Sequence, residues 1–205
     1  YCRALRNVYL PDTMSVIDNL AFTGLSGITF SVAKDSYAKR WVESHGFAYT
    51  EREPAVVASG VCGENLTWSL TSDGVLTLDG TGPMATYYGE ANIPWHANRA
   101  LITTVNVGAG VTKLTTNAFC GCTNLETLNF AENSQLQMLG GSVYKNCTSL
   151  KSITLPEGLT AVSGNAFKYC RGLRYVSLAD STRYIDELAF TGLSGITFSV
   201  AKDSY

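Results

Sequence analysis

Four stretches decide the fold: AFCGCTNLETLNF at 118–130, VYKNCTSLKSITLP at 143–156, AFKYCRGLRYVSL at 166–178 and AFTGLSGITF at 189–198. Aligned on their aromatic residue, Phe119, Tyr144, Phe167 and Phe190 follow one another at steps of 25, 23 and 23 residues. Three places on stand Cys122, Cys147, Cys170 and Leu193, and three further Leu125, Leu150, Leu173 and Ile196. Leu128, Ile153 and Val176 continue the register, followed by Phe130, Leu155 and Leu178. Self-similarity at this period marks a solenoid, in which each unit is too small to bury its own apolar side and buries it against its neighbours. The longer first step arises between Phe130 and Leu136, where AENSQ stands in place of the PEG between Leu155 and Leu159. Such insertions fall in surface turns.

A second repeat is larger. Residues 1–37 match residues 169–205 with 28 identities, and LAFTGLSGITFSVAKDSY occurs verbatim at 20–37 and 188–205. The chain therefore reads as part of a tandem array. Residues 1–53 form the end of one repeat module, residues 54–107 the hairpin cap of a second, and residues 108–205 the repeats of that second module, stopping before its own closing helix. In AKRWVESHGFAYT the apolar residues Ala38, Trp41 and Val42, with His45, share one face of a short helix. Asp35 or Ser36 is placed to cap its first turn, and Gly46 to end it. Glu51-Arg52-Glu53-Pro54 has the composition of a linker. NLTWSL and VLTLDGTG alternate apolar and polar residues around Asp73-Gly74, a hairpin signal, and LITTVNV reads as the first strand of the repeats.

The composition fits a folded, non-ionic surface. Of 205 residues 45% are apolar and 16% charged, against roughly 25% charged in an average globular protein, and 22 Thr and 18 Ser supply the polar exterior. A net charge of −2 gives no broad field to hold nucleic acid or an anionic bilayer. No apolar run reaches the ~18 residues that span a membrane. Neither nucleic acid nor membrane insertion is expected.

Six cysteines raise disulfide and metal readings. Cys2, Cys122, Cys147 and Cys170 share one register that Leu25 and Leu193 fill in the closing units, which describes a small hydrophobic slot. Cys120 and Cys122 form a C-x-C with no second pair and no nearby His, so no metal is expected. Cys62 and Cys120 lie outside the register, and whether they pair stays open. The two histidines, His45 and His96, belong to no recognisable nucleophile–base arrangement, and G-x-S-x-G and phosphate-loop patterns are missing. Neither a catalytic residue nor a cofactor is expected. Tyr87, Tyr88 and Trp95 form the densest aromatic group in the cap region. They either stack on a sugar or protein ligand or plug the top of the first repeat. Lys145, Lys151, Lys168, Arg171, Arg174 and Arg183 recur along the array, either as a weak basic stripe or as a solvated face.

The "AF-x-x-C-x-x-L-x-x-I-x-L" signature of the four stretches, with the hairpin SGVCGENLTWSLTSDGVLTLDGTGPM before them and SYAKRWVESHGFAYT after the first copy, resembles the BspA-like leucine-rich-repeat family of bacterial surface proteins. Tyr144 in place of Phe, and Leu25 and Leu193 in place of Cys, depart from the pattern but stay apolar. The resemblance implies a right-handed leucine-rich-repeat solenoid with a β-hairpin N-terminal cap and a short helical C-terminal cap. It also implies secretion or wall attachment, and adhesion to a protein or glycan partner without catalysis. A passive spacer between other domains is the alternative.

Because both ends of the array interrupt a repeat, end-to-end association is expected, with the face near Tyr1 meeting that near Phe198 or stacking against a copy of itself. Sedimentation velocity at rising concentration checks it; a monomer throughout counts against it.

Overall fold

A computed structural model describes residues 2, 4–12 and 14–200, so the Tyr1 side of the expected end-to-end contact lies outside the described residues. The chain divides into two compact units, one of residues 1–56 with 71–73 and one of residues 57–70 with 74–205.

In the first unit, β1 (Asn7–Tyr9), β2 (Thr29–Ala33) and β3 (Ala48–Arg52) form a parallel sheet in that order. Helix α1 (Tyr37–Ser44) connects β2 to β3. The Ser36 hydroxyl accepts the Lys39 amide at 3.0 Å and caps the first turn, while Gly46 takes the left-handed conformation past the last. Ala38, Trp41 and Val42 are buried, and the Trp41 ring meets Phe22 edge-on and Phe47 face-on. His45 differs from the sequence expectation: it is exposed past the end of the helix, with its ring stacked on Trp41 at 4.1 Å. The linker reading of Glu51 and Arg52 is also corrected. Both lie in β3, paired with Val32 and Ala33, and the Arg52 guanidinium hydrogen-bonds the Asp12 carboxylate and the Leu10 carbonyl and lies over the Tyr9 ring. A strand can carry these charges because each finds a partner of opposite sign: Glu51 bridges to Lys39 at 3.3 Å.

The second unit starts with β4 (Val56–Gly63) and the antiparallel pair β5 (Asn65–Thr71) and β6 (Val75–Pro83), in which Trp68 faces Leu78 and Leu70 faces Leu76. Gly74 turns the hairpin at φ 89°. An added Cβ there would lie 2.4 Å from the Leu101 carbonyl oxygen, so the turn needs glycine twice over. Strand β6 then starts two parallel ladders. Its residues Val75–Leu78 pair with β7 (Thr104–Val107), and Gly82 and Pro83, with a register shift between them, pair with Val111 and Lys113 of β8 (Val111–Leu114). From β8 one ladder continues without interruption through β10 (Met138–Leu139), β12 (Ala161–Val162) and β14 (Tyr184–Ile185). The other runs from β7 to β9 (Thr127–Phe130) and resumes as β11 (Ser152–Thr154), β13 (Tyr175–Ser177) and β15 (Thr197–Ser199). Between β9 and β11 no ladder pairing forms.

The turns that join the ladders carry the repeating aromatic. Rings stack one per coil: Trp95 on Phe119 at 5.4 Å, Phe119 on Tyr144 at 5.5 Å, Tyr144 on Phe167 at 5.4 Å and Phe167 on Phe190 at 5.2 Å, with interplanar angles of 20°, 8°, 21° and 5°. Neighbouring parallel strands lie about 4.8 Å apart, so one ring fills roughly the height of one coil. Backbone bonds hold the register: the Phe119, Tyr144 and Phe167 amides donate to the Val143, Ala166 and Ala189 carbonyls of the next coil, each at 2.8 Å. The turn also places Gly121, Asn146, Tyr169 and Gly192, at one register position, in the left-handed region.

Behind the rings lie the thiols. Cys122, Cys147 and Cys170 are buried and free, and the Cys147 and Cys170 sulfhydryls donate to the Phe119 and Tyr144 carbonyls at 3.2 and 2.9 Å. Cys2 shares their register but is exposed, since no described coil lies over it. Cys62 and Cys120 are buried and free too. Burial holds the thiols in the neutral form: Cys62 is pushed up to about 11 and Cys120 and Cys122 to about 12, with Cys147 well above its ordinary value. Tyr144 carries the one hydroxyl in the ring stack, and that buried oxygen has no hydrogen-bond partner.

Two outcomes are expected of the stack. Phe167→Ala should cost about 3–5 kcal/mol in denaturant unfolding, since it opens a gap between two rings. Tyr144→Phe should instead stabilise by about 1 kcal/mol by removing the unpaired hydroxyl. The thiols give a third. Their folded pKa values exceed the unfolded ones, so the folded state holds protons that the unfolded state releases. Stability should therefore be fully present below about pH 9 and fall as pH rises toward about 12. Urea melts at pH 8, 9.5 and 10.5 read this out, and a thiol reagent at pH 8 should label Cys2 at once and the other five only on unfolding.

Candidate functional site

The three aromatics singled out in the sequence do not share a surface. Trp95 is fully buried as the first ring of the stack, its indole N–H donating to the Ala118 carbonyl at 2.8 Å, and Trp68 meets it edge-on at 5.4 Å. It is unavailable to a ligand. Tyr87 is half-buried against the same core, and its hydroxyl is pushed up by burial. Tyr88 alone projects, 87% exposed. The ladder residues Phe119, Tyr144, Phe167, Cys122, Cys147 and Cys170 are buried, and Phe190 packs against them half-buried.

The exposed chemistry lies elsewhere in the second unit, across the turns and strands of neighbouring coils. Two adjoining hollows of 600 and 590 Å³ share Thr148. Arg99, Cys120, Tyr169 and Arg171 line the first; Lys151, Arg174 and Tyr175 line the second. Tyr175 stands outward from β13 where the equivalent residues of β9 and β11 are Thr127 and Ser152, and it is 63% exposed. Tyr169 is the more unusual. It occupies the left-handed position that Gly121, Asn146 and Gly192 fill in the other coils, at φ 61°. A bulky side chain there is strained by about 1–3 kcal/mol and persists only where its surroundings hold it. Its ring lies where a Cβ on Gly192 would stand, 2.4 Å from that point, so glycine in the next coil makes room for it, and Lys168 sits over the ring at 5.2 Å. A rigid tyrosine pair among arginines offers large contact area at low entropic cost, together with planar hydrogen-bond donors.

The electrostatics around the hollows do not favour proton transfer or nucleophilic attack. The Cys120 thiol donates to the Glu90 carboxylate at 3.1 Å and stays neutral to about pH 12, far from the depressed pKa of a reactive thiol. The Arg99 guanidinium is hydrogen-bonded to His96. Among the described residues no group of three or more His, Cys, Asp or Glu could hold a metal ion, and no helix is long and apolar enough to cross a membrane.

The sequence shows part of this surface, since Lys151, Lys168, Arg171 and Arg174 stand out as recurring cations. Tyr169 and Tyr175 are visible only as departures from the repeat of the second unit, aromatics at positions where its other coils carry Gly, Asn, Ser or Thr, although the duplicated segment carries the first of them again as Tyr1.

Comparison with known proteins places the chain by its fold. A leucine-rich repeat protein from Eubacterium ventriosum aligns with 72% of this chain at 23% identity and a TM-score of 0.56, and the chain spans 45% of that protein's length. A leucine rich repeat protein of T. pallidum aligns over 67% of this chain and 68% of its own, at 20% identity and a TM-score of 0.48. A leucine rich cell surface protein from Faecalibacterium prausnitzii aligns over 73% and 51%, at 22% identity and 0.38. Curated proteins give no match. With its coils, aromatic register and thiol register in view, and with residues 96–202 matching six copies of the BspA type leucine rich repeat region, the chain belongs to that family.

Proposed function

We propose that the chain is a non-catalytic binding module of a secreted or wall-attached bacterial surface protein, and that it recognises a protein or glycan partner through the Tyr169–Tyr175 ledge. One observation carries the reading: in a single coil of the second unit two register positions that are Gly, Asn, Ser or Thr in its other coils become tyrosine, one of them at a backbone cost that the fold does not require. Strain kept at a surface position points to use there. Arg171, Arg174 and Lys151 beside the rings supply donors for a carboxylate, a sulfated sugar or a backbone carbonyl. The stacked core behind them holds the ledge in one geometry before any partner arrives, which lowers the ordering cost of association. Surface attachment draws support from the family and from the name of the Faecalibacterium protein.

Glycan and host-protein arrays probed with the chain and with the double variant Tyr169→Asn, Tyr175→Ser test the reading. Both replacements are residues that equivalent positions already carry. Binding should fall at least about tenfold in the variant, equivalent to 1.4 kcal/mol or more, while stability holds or rises. Blank arrays, pull-downs and cell-binding assays with the unaltered chain would favour the passive spacer.

A further inference from the structure

Among the described residues, the interruption between β9 and β11 is the one place where a strand ladder of the second unit opens. Along the other coils the same backbone bond recurs: Glu126 amide to Thr103 carbonyl, Arg174 amide to Lys151 carbonyl and Thr197 amide to Arg174 carbonyl, each at 2.8 Å. The corresponding bond from Lys151 to Glu126 is not made. In parallel strands successive residues direct their backbone groups to opposite neighbours. Ala131 bonds back to Val107, and Leu155 bonds forward to Ser177. Leu128 and Phe130 on one side, and Ser152 and Thr154 on the other, therefore turn their N–H and C=O groups into the opening. The cause lies in the AENSQ turn. Its amides make no bond to the next coil: Ala131 bonds back to Val107, Gln135 back to Ala109, and Ser134 to Ala131 within the turn, so the two added residues hold the turn on its own coil.

The opening is a groove of 720 Å³ with two further properties. Leu128 and Phe130, whose counterparts Val105, Val107, Ile153 and Leu155 are buried, are only half-buried along its wall. Its charged lining residues are Glu126, Glu132 and Glu157, with no Lys or Arg among the lining. Unpaired strand edges, uncovered core-directed side chains and a single sign of charge occur together.

We propose that this groove, whose walls β9 and β11 approach within 8 Å at their nearest, widens to accept an extended segment of a partner protein as an added strand, carrying Lys or Arg on alternate residues and small apolar side chains between them. Main-chain bonds to Leu128, Phe130, Ser152 and Thr154 supply affinity, the apolar side chains cover Leu128 and Phe130, and the basic ones face the three glutamates. The groove adjoins the tyrosine ledge, since Glu126 lines both, but its strand edges at Leu128, Phe130, Ser152 and Thr154 and its other two glutamates belong to the groove alone.

Fluorescence anisotropy tests this with a labelled eight-residue peptide of alternating Lys and Val, its Glu–Val counterpart, and the Lys–Val peptide N-methylated at alternate residues so that its backbone donors are lost. The Lys–Val peptide should bind, and the other two should bind at least about tenfold more weakly. The triple variant Glu126→Gln, Glu132→Gln, Glu157→Gln should weaken it about tenfold, and deletion of Asn133 and Ser134, which restores the 23-residue step and closes the opening, should abolish it with the circular dichroism spectrum unchanged. No binding by the Lys–Val peptide, equal binding by the N-methylated one, or undiminished binding by the triple variant overturns the proposal. A concentration-dependent dimer that the deletion removes would give the groove to a second copy of the chain and overturn it as well.

Discussion

One ring per coil sets the geometry of the second unit. From Trp95 to Phe190 five aromatics lie face to face at 5.2–5.5 Å, and this spacing must match the separation of neighbouring strands or one of the two contacts is lost. The match explains the other regularities. The chain must reverse sharply around each ring, so two turn positions are left-handed, Asn117, Ser142 and Asn165 before the ring and Gly121, Asn146, Tyr169 and Gly192 after it. An apolar side chain stands behind the ring, a thiol in three coils and Leu193 in the last, and Cys147 and Cys170 give their weak donors to the carbonyl of the preceding ring's residue. Tyr144 shows how tight the fit is, since its extra oxygen finds no partner.

Much of this was legible because the determinants are local and repeated. The 25-, 23- and 23-residue steps locate Phe119, Tyr144, Phe167 and Phe190, and Asp73-Gly74 locates the hairpin without any knowledge of tertiary contacts. Trp95 was legible only as one of two alternatives, a plug on the first repeat or a ligand platform, because the residues around it, PWHAN, carry none of the repeat signature. Only its 24-residue distance from Phe119 marks it as a member of the stack. Strand β3 escaped for a different reason: it is fixed by parallel pairing with β2 and by the partners of Glu51 and Arg52, which are distant in sequence. The tyrosine ledge was legible only in part. Its cations recur, but the rings that give it shape are exceptions to the pattern, and periodicity reports what repeats.

The duplicated segment separates sequence from surroundings. Phe30 and Phe198 lie in identical stretches, yet Phe30 is fully buried among Phe22, Trp41 and Phe47 while Phe198 is 44% exposed. Val32 is fully buried and Val200 is exposed. The difference is the presence of α1 and β3 over the first copy. Burial in a solenoid is thus conferred by the next element in the stack, and the same residues are core or surface according to what covers them.

Strand β6 has a consequence for the order of events during folding. Its pairing with β5 closes across a short turn, whereas each later coil bridges more than twenty residues. Loop closure favours the hairpin first, on a microsecond timescale. Because β6 alone presents edges to both β7 and β8, the hairpin is the template on which two zippers start at one end and advance together, giving assembly of the coils a direction from the amino-terminal side.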